Sequence, residues 1–404
     1  MANDKDFVVN GPVVVGKDTK VTVGTVTSGA VDLSTGNYFT DSPSGAYTYT
    51  FTNPGAVQAF QIEATGGSAA VASTFSTTLY TGNGGSTATI TNNIDLLGDG
   101  GLVWIKARTS AENHALFDTE RGVTKILSSN LTDAESTNTG TLTDFYSNGF
   151  KVDGNGTVGS STDPYVSWSF KKQTKFFDVV TYTGAGGLTQ TVSHSLGSTP
   201  GTIIVKRTDG VGNWVVYHRS TGATKYLELE DTAAAATNST FWYDTAPTST
   251  QFTVGNDSAV NNSGYSYVAY LFAHDTASDG LIQCGSYTGT GSYSNPPVVN
   301  LGWSPQWIMI KRSDGTGSWQ IYDTTRGATQ DSSAYLRPNQ TQAEQTYTGG
   351  YVGFYPTSTG FSLSIDGTEG NASGGTYVYM AIRSPSALAI TWPTSIEWTQ
   401  GTTP

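Results

Sequence analysis

Thr181-Tyr182-Thr183-Gly184-Ala185-Gly186, Ser286-Tyr287-Thr288-Gly289-Thr290-Gly291 and Leu79-Tyr80-Thr81-Gly82-Asn83-Gly84 are three versions of one phrase, spaced about 100 residues apart. A fixed period of that size marks tandem copies of a whole domain. Each phrase leads into an apolar strand ending in lysine: Val103-Trp104-Ile105-Lys106, Ile203-Ile204-Val205-Lys206 and Ile308-Met309-Ile310-Lys311. In the second and third copies a near-identical turn follows, Arg207-Thr208-Asp209-Gly210 before Trp214 and Arg312-Ser313-Asp314-Gly315 before Trp319. Asp-Gly suits a tight turn whose central residues take positive φ, so a β-hairpin is predicted at each. Later landmarks keep their order, and each copy closes on an aromatic strand: Tyr165-Val166-Ser167-Trp168-Ser169-Phe170, Tyr267 to Phe272, and Tyr377 to Ile382. Side chains alternating about one apolar face predict antiparallel sheets, and the expected fold is all-β, with three tandem jelly-roll-like sandwiches.

Composition agrees with that reading. A chain of 404 residues exceeds one hydrophobic core. Its 48 glycines, 22 tyrosines and only 13% charged residues suit short strands joined by tight turns. Lys and Arg total 20 against 32 Asp and Glu, a formal charge of -12 with no basic cluster, so no nucleic-acid partner is expected. The one cysteine, Cys284, lies in an apolar stretch and reads as a small core residue. Met1 to Asp6 lacks the basic start and apolar stretch of a secretory signal, and runs such as Tyr267 to Ala273 are too short to cross a bilayer. The expectation is a protein made soluble in the host cytoplasm, without membrane insertion; if it works outside the cell, it leaves by lysis or by a route the sequence does not show.

The repeats occupy 74–175, 176–278 and 279–385. Residues 1–30 read as a Val/Thr-rich strip too short to bury itself, suited to attachment or trimerisation. Residues 31–73 carry the alternating strands Tyr47-Thr48-Tyr49-Thr50-Phe51 and Ala59-Phe60-Gln61-Ile62-Glu63, and 386–404 supply further strand with Trp392 and Trp398. These two segments are expected to form one small β domain, split by the repeats inserted into an exposed loop.

Val31-Asp32-Leu33-Ser34-Thr35-Gly36-Asn37-Tyr38-Phe39 and Phe51-Thr52-Asn53-Pro54-Gly55-Ala56-Val57-Gln58-Ala59-Phe60, with Ile390-Thr391-Trp392-Pro393 and Trp398, resemble a module of fibre and structural proteins from marine tailed phages, cyanophages among them. In that module the fibre-like strands usually adjoin the Trp-Pro strand directly. The repeats are similar to an uncharacterised module of the same proteins, marked by Tyr322-Asp323-Thr324-Thr325-Arg326-Gly327 and by Leu336 to Glu344. The resemblance implies a virion structural protein: a tail fibre or appendage, homotrimeric, on the tail or capsid exterior. It would be anchored to other virion proteins by the N-terminal segment and would meet host-surface polysaccharide. A capsid decoration or head fibre is the alternative within that class, and a polysaccharide depolymerase the alternative from the enzyme class.

Comparing equivalent positions tests for chemistry. Asp118 and Arg121 of the first copy match Asp323 and Arg326 of the third, whereas the second has His218 and Thr221. Joint loss is what an ion pair predicts, since removing one partner strands the other; ligand contact and catalysis are the competing readings. A depolymerase would need paired acids, for which Asp118 with Glu135 and Asp323 with Glu344 are candidates. Glu135 and Glu344, equivalent to Ala235, are also candidate sugar contacts or solvated turn residues. Trp214 and Trp319 hold equivalent strand positions, which favours core. Trp242, Tyr243 and Tyr351 fall in loop-like regions that vary between copies and are the better candidates for glycan contact. The four histidines lack metal-ligand spacing. No catalytic residue, metal or cofactor is assigned.

Overall fold

The computed structural model describes residues 71–328, 332–348, 352–364 and 367–385, with short strands between residues 23 and 64 and at Ala389–Ile390. The fold is almost entirely β. The chain divides into two compact units, Val71–Ser384 and the flanks Met1–Ala70 with Pro385–Pro404.

In the flanking unit successive strands alternate between two parallel sheets. Val23–Thr25, Tyr38–Asp41 and Gln61–Ala64 form one, and Ala30–Asp32, Thr48–Thr52 and Ala389–Ile390 form the other. Ala389 and Ile390 pair with Thr48 and Tyr49, so a strand from beyond the repeats joins the N-terminal segment. Val23–Thr25, assigned from sequence to the attachment strip, pairs into this unit too. Residues 1–22 and 391–404 lie outside the described residues.

Each repeat is two antiparallel sheets face to face. The principal sheet places the closing strand between the opening strand and the lysine strand, followed by a return strand. In the first repeat these are Pro164–Lys171, Phe75–Thr81, Gly101–Ala107 and Ala115–Asp118. The counterparts are Ser266–Ala273, Phe177–Thr183, Pro200–Arg207 and Trp214–His218 in the second repeat. In the third they are Thr376–Arg383, Ile282–Thr288, Pro305–Arg312 and Gln320–Asp323. The outer sheet has three strands in the first and third repeats but two in the second, where the chain coils into the short helix Ser239–Trp242 instead. Between the sheets lie Val103, Ile105, Phe117, Phe150 and Tyr165 in the first repeat, and Ile308, Ile310, Tyr322, Phe361 and Tyr377 in the third.

The expected hairpins form, since Lys206 pairs with Trp214 and Thr202 with His218. The turn differs from the tight one expected. Neither Asp209 nor Gly210 takes positive φ; Asp209 instead accepts from Arg207 Nε at 2.7 Å and from the Ser266 amide at 3.0 Å. A Cβ on Gly210 would meet the Arg207 guanidinium at 2.4 Å, so glycine lets that flexible side chain lie across the turn. In the opening phrases, a Cβ on Gly82, Gly184 or Gly289 would lie 2.0, 2.2 or 2.3 Å from the carbonyl of Ser160, Asn262 or Ala372. Close backbone approach, rather than turn geometry, fixes those glycines.

The repeats are not separate bodies in series. Their principal sheets share a central aromatic core, in which Phe170 meets Phe177 and Phe272 of the second repeat and Trp307 of the third at ring centroids of 5.6, 5.5 and 5.8 Å. Phe75 also meets Trp307, at 6.1 Å. The lysine strands are therefore covered on both faces: every residue of Gly101–Ala107 is buried, and in Pro200–Arg207 and Pro305–Arg312 all but the terminal arginine. This corrects the expectation of one apolar face per strand. Near-continuous runs such as Trp307-Ile308-Met309-Ile310 are what burial on both faces requires.

The arrangement closes into a ring. The amide of Glu135 donates to Thr208 O of the second repeat at 2.8 Å, that of Ala235 to Ser313 O of the third at 2.9 Å, and that of Glu344 to Arg108 O of the first at 2.7 Å. These six residues occupy equivalent positions, so one contact recurs at three seams with approximate threefold symmetry.

Candidate functional site

The acids and arginines singled out from the sequence converge on those seams. At their centre stands the return strand's last residue, Asp118, His218 or Asp323. Asp323 accepts from Arg326 Nε at 2.6 Å, from the Arg326 amide at 2.8 Å and from Trp168 Nε1 of the first repeat at 3.0 Å. Asp118 accepts from Arg121 Nε at 2.6 Å and from the Tyr270 hydroxyl of the second repeat at 2.8 Å. Both aspartates are fully buried. Trp168 and Tyr270 hold the same closing-strand position, which in the third repeat is Met380. Methionine has no donor to offer an aspartate. The residue facing that repeat is His218, whose Nε2 lies 3.1 Å from Tyr379 O while its Nδ1 accepts from the Ser220 amide at 3.2 Å. An Nδ1 that accepts leaves the proton on Nε2, which therefore donates to the carbonyl. The paired presence and absence of aspartate and arginine thus follows from what the neighbouring repeat presents.

The candidate acid pairs are brought together, but on a shared cation. Glu135 meets Arg121 Nη1 at 3.1 Å and Lys125 Nζ at 3.3 Å. Glu344 meets Arg326 Nη1 at 3.1 Å and is gripped by Arg108 of the first repeat through Nε at 3.0 Å and Nη2 at 2.6 Å. Each guanidinium lies between two carboxylates, and its Nη2 donates to a backbone carbonyl of the return strand that precedes it, Leu116 or Ile321, at 3.0 Å. These are Asp-Arg-Glu clasps. Glu135 and Glu344, the candidate sugar contacts, have their carboxylates engaged with cations in the seams.

A second set of equivalent side chains adds seam contacts that sequence comparison did not isolate. His114, Trp214 and Trp319 lie four residues before the clasp position. Their ring nitrogens reach Arg337 O at 2.9 Å, Ser128 O at 3.1 Å and Glu228 O at 2.8 Å, each in the preceding repeat around the ring. The lysines that end the apolar strands are buried, and Lys206 and Lys311 donate to Thr132 O and Thr232 O across their seams at 3.1 and 3.2 Å. Burial lowers all three lysines, Lys106 included, to about 8. An alignment of the three copies that paired His114 with two tryptophans, and asked why charge ends each core strand, is the signal that reveals this set.

Burial pulls His218 down to about 4 and His114 well below its ordinary value. An unfolded histidine takes its proton near 6.5, so between about 6.5 and 4 the unfolded chain binds more protons than the ring. The stability contributed by neutral His218 is complete above that window and is lost as pH falls through it, by about 3 kcal/mol at pH 4. Glu230, raised by burial to about 7, works in the opposite sense. The expected result is that wild type loses stability relative to His218→Gln between pH 7 and 4, measured by urea unfolding of both; a pH-independent difference between them would refute the assignment.

The proposed glycan contacts fall differently from one another. Trp242 is buried, 1% exposed, at the end of the helix Ser239–Trp242, with its ring edge-on to Tyr217 at 5.8 Å. This corrects its reading as a loop residue: the helix that replaces an outer-sheet strand turns the indole inward. Tyr243 caps that helix in the left-handed conformation and is 47% exposed. Tyr351 lies outside the described residues. Trp214 and Trp319 are buried. Cys284 is buried as well, its thiol pushed up to about 12 by burial. Among the described residues no group of three or more His, Cys, Asp or Glu is arranged to hold a metal, and no helix is long and apolar enough to cross a membrane.

No curated protein matches the chain. Residues 71–385 match, as one stretch, a family described as a domain of unknown function, DUF7483. That span takes in all three repeats and coincides closely with the Val71–Ser384 unit. The family therefore encompasses the ring and not the single repeat, and the chain belongs to the DUF7483 family.

Proposed function

We propose that this chain is a noncatalytic structural and adhesive protein of a phage particle, a tail fibre or other appendage that presents the ring to a host-surface glycan. The observation that carries the reading is the commitment of the acids. Asp118, Glu135, Asp323 and Glu344 are held by guanidinium groups inside the seams, where they join repeats and offer no free acid for hydrolysis. Further support comes from the resemblance of the flanks to phage fibre strands. Homotrimerisation and attachment to other virion proteins belong in this reading to the N-terminal segment, and the protein resides on the exterior of the virion.

Tyr243 is the described aromatic that this reading assigns to glycan, since its ring is half exposed beside an outer sheet that differs from those of its neighbours. Tyr351 is retained as the companion proposed from sequence. Tyr243→Ala is expected to lower adsorption of particles to host cells several-fold with no change in thermal stability; unchanged adsorption would reject the assignment. Release of new reducing ends from host capsule by the purified protein would instead assign a depolymerase.

A further inference from the structure

Two of the three seams are spanned by the chain itself. Residues 172–176 lead from the first closing strand to the second opening strand, and residues 274–281 from the second closing strand to the third opening strand. The third–first seam has no such linker inside the unit, because the chain enters at Val71 and leaves at Ser384. A short linker keeps neighbouring repeats at high effective concentration, whereas the unlinked seam must close a loop the length of the whole ring. That seam alone combines arginine and glutamate at the recurring contact. Arg108 stands where the other repeats have Thr208 and Ser313, and Glu344 where they have Glu135 and Ala235. Their two parallel hydrogen bonds, 3.0 and 2.6 Å, form a bidentate pair in partly buried surroundings, with side chains 24% and 12% exposed. Ser129 Oγ adds a bond to Pro338 O at 2.7 Å across the same seam.

We infer that Arg108 and Glu344 are the latch of the ring, and that the ring opens at the third–first seam before it unfolds. The other two seams, tethered by their linkers, open only when the unit unfolds as a whole. The flanking unit, whose Thr48–Thr52 and Ala389–Ile390 strands pair, joins the chain leading into the ring to the chain leading out of it.

The test follows amide hydrogen exchange of the full chain at the three equivalent donors, Glu135, Ala235 and Glu344. In the unaltered protein under rising urea, the Glu344 amide should exchange through an opening with a weak urea dependence. The Glu135 and Ala235 amides should exchange only with the steep dependence of global unfolding. Arg108→Thr installs the residue of the second repeat and leaves Glu344 paired with Arg326, so the fold is retained. It should speed exchange at Glu344 at least tenfold and change the other two less than twofold. One common urea dependence for all three amides in the unaltered chain overturns the inference, as does an equal response, or none, at the three sites in the variant.

Discussion

Asp323→Ala is expected to destabilise the ring by about 3–5 kcal/mol, because it leaves the Arg326 guanidinium buried without its main counterion. Arg326 has no exposed side-chain surface and gives its Nε to Asp323 at 2.6 Å. Trp168 Nε1 loses its acceptor as well. Glu344 stays 3.1 Å from the guanidinium, which keeps the loss toward the lower end of that range. The second repeat supplies a control, since its histidine and threonine occupy the two positions. Asp323→His with Arg326→Thr removes both charges together and should cost less than the summed single variants, with a coupling of about 1–3 kcal/mol. Chemical denaturation of the four proteins in the cycle measures it. Additive effects would mean that the clasp is not a unit.

Trp242→Ala is expected to cost about 3–5 kcal/mol through the cavity left by a fully buried indole. Among the described residues the indole N–H has no hydrogen-bond partner. Trp242→Phe, which removes that donor and keeps an aromatic ring against Tyr217, should therefore cost far less. Tyr243→Ala, one residue along but exposed, should leave stability within about 0.5 kcal/mol of wild type. Thermal unfolding of the three variants separates a packing role from a surface role. Equal stability of Trp242→Ala and wild type would contradict the burial of this side chain.

Much of each repeat was legible because its signals are local. The period, the lysine-ended strands and the aromatic closing strands needed only neighbouring residues, and the ion pair at Asp118 and Asp323 could be read from their joint replacement by His218 and Thr221. What could not be read was which surfaces meet. Phe75, Phe170, Phe177, Phe272 and Trp307 look from sequence like core residues of separate sandwiches, yet they form one core shared by all three. Glu344 looked like a turn acid because its partner, Arg108, lies 236 residues away in the chain. Trp242 was misread for the opposite reason. The strand that its stretch supplies in the other repeats is replaced by a helical turn, and helix or strand is weakly specified in so short a segment.

The recurring seam contact runs from a backbone amide to a backbone carbonyl, and the donors differ in side chain as much as Glu135, Ala235 and Glu344. Such a contact survives almost any substitution that keeps the strands in place. The three copies are therefore free to drift apart in sequence on their outer sheets without losing the ability to assemble. The second copy carries a helix where the other two have an outer-sheet strand, and each outer sheet can vary on its own while the seam contacts keep the ring closed.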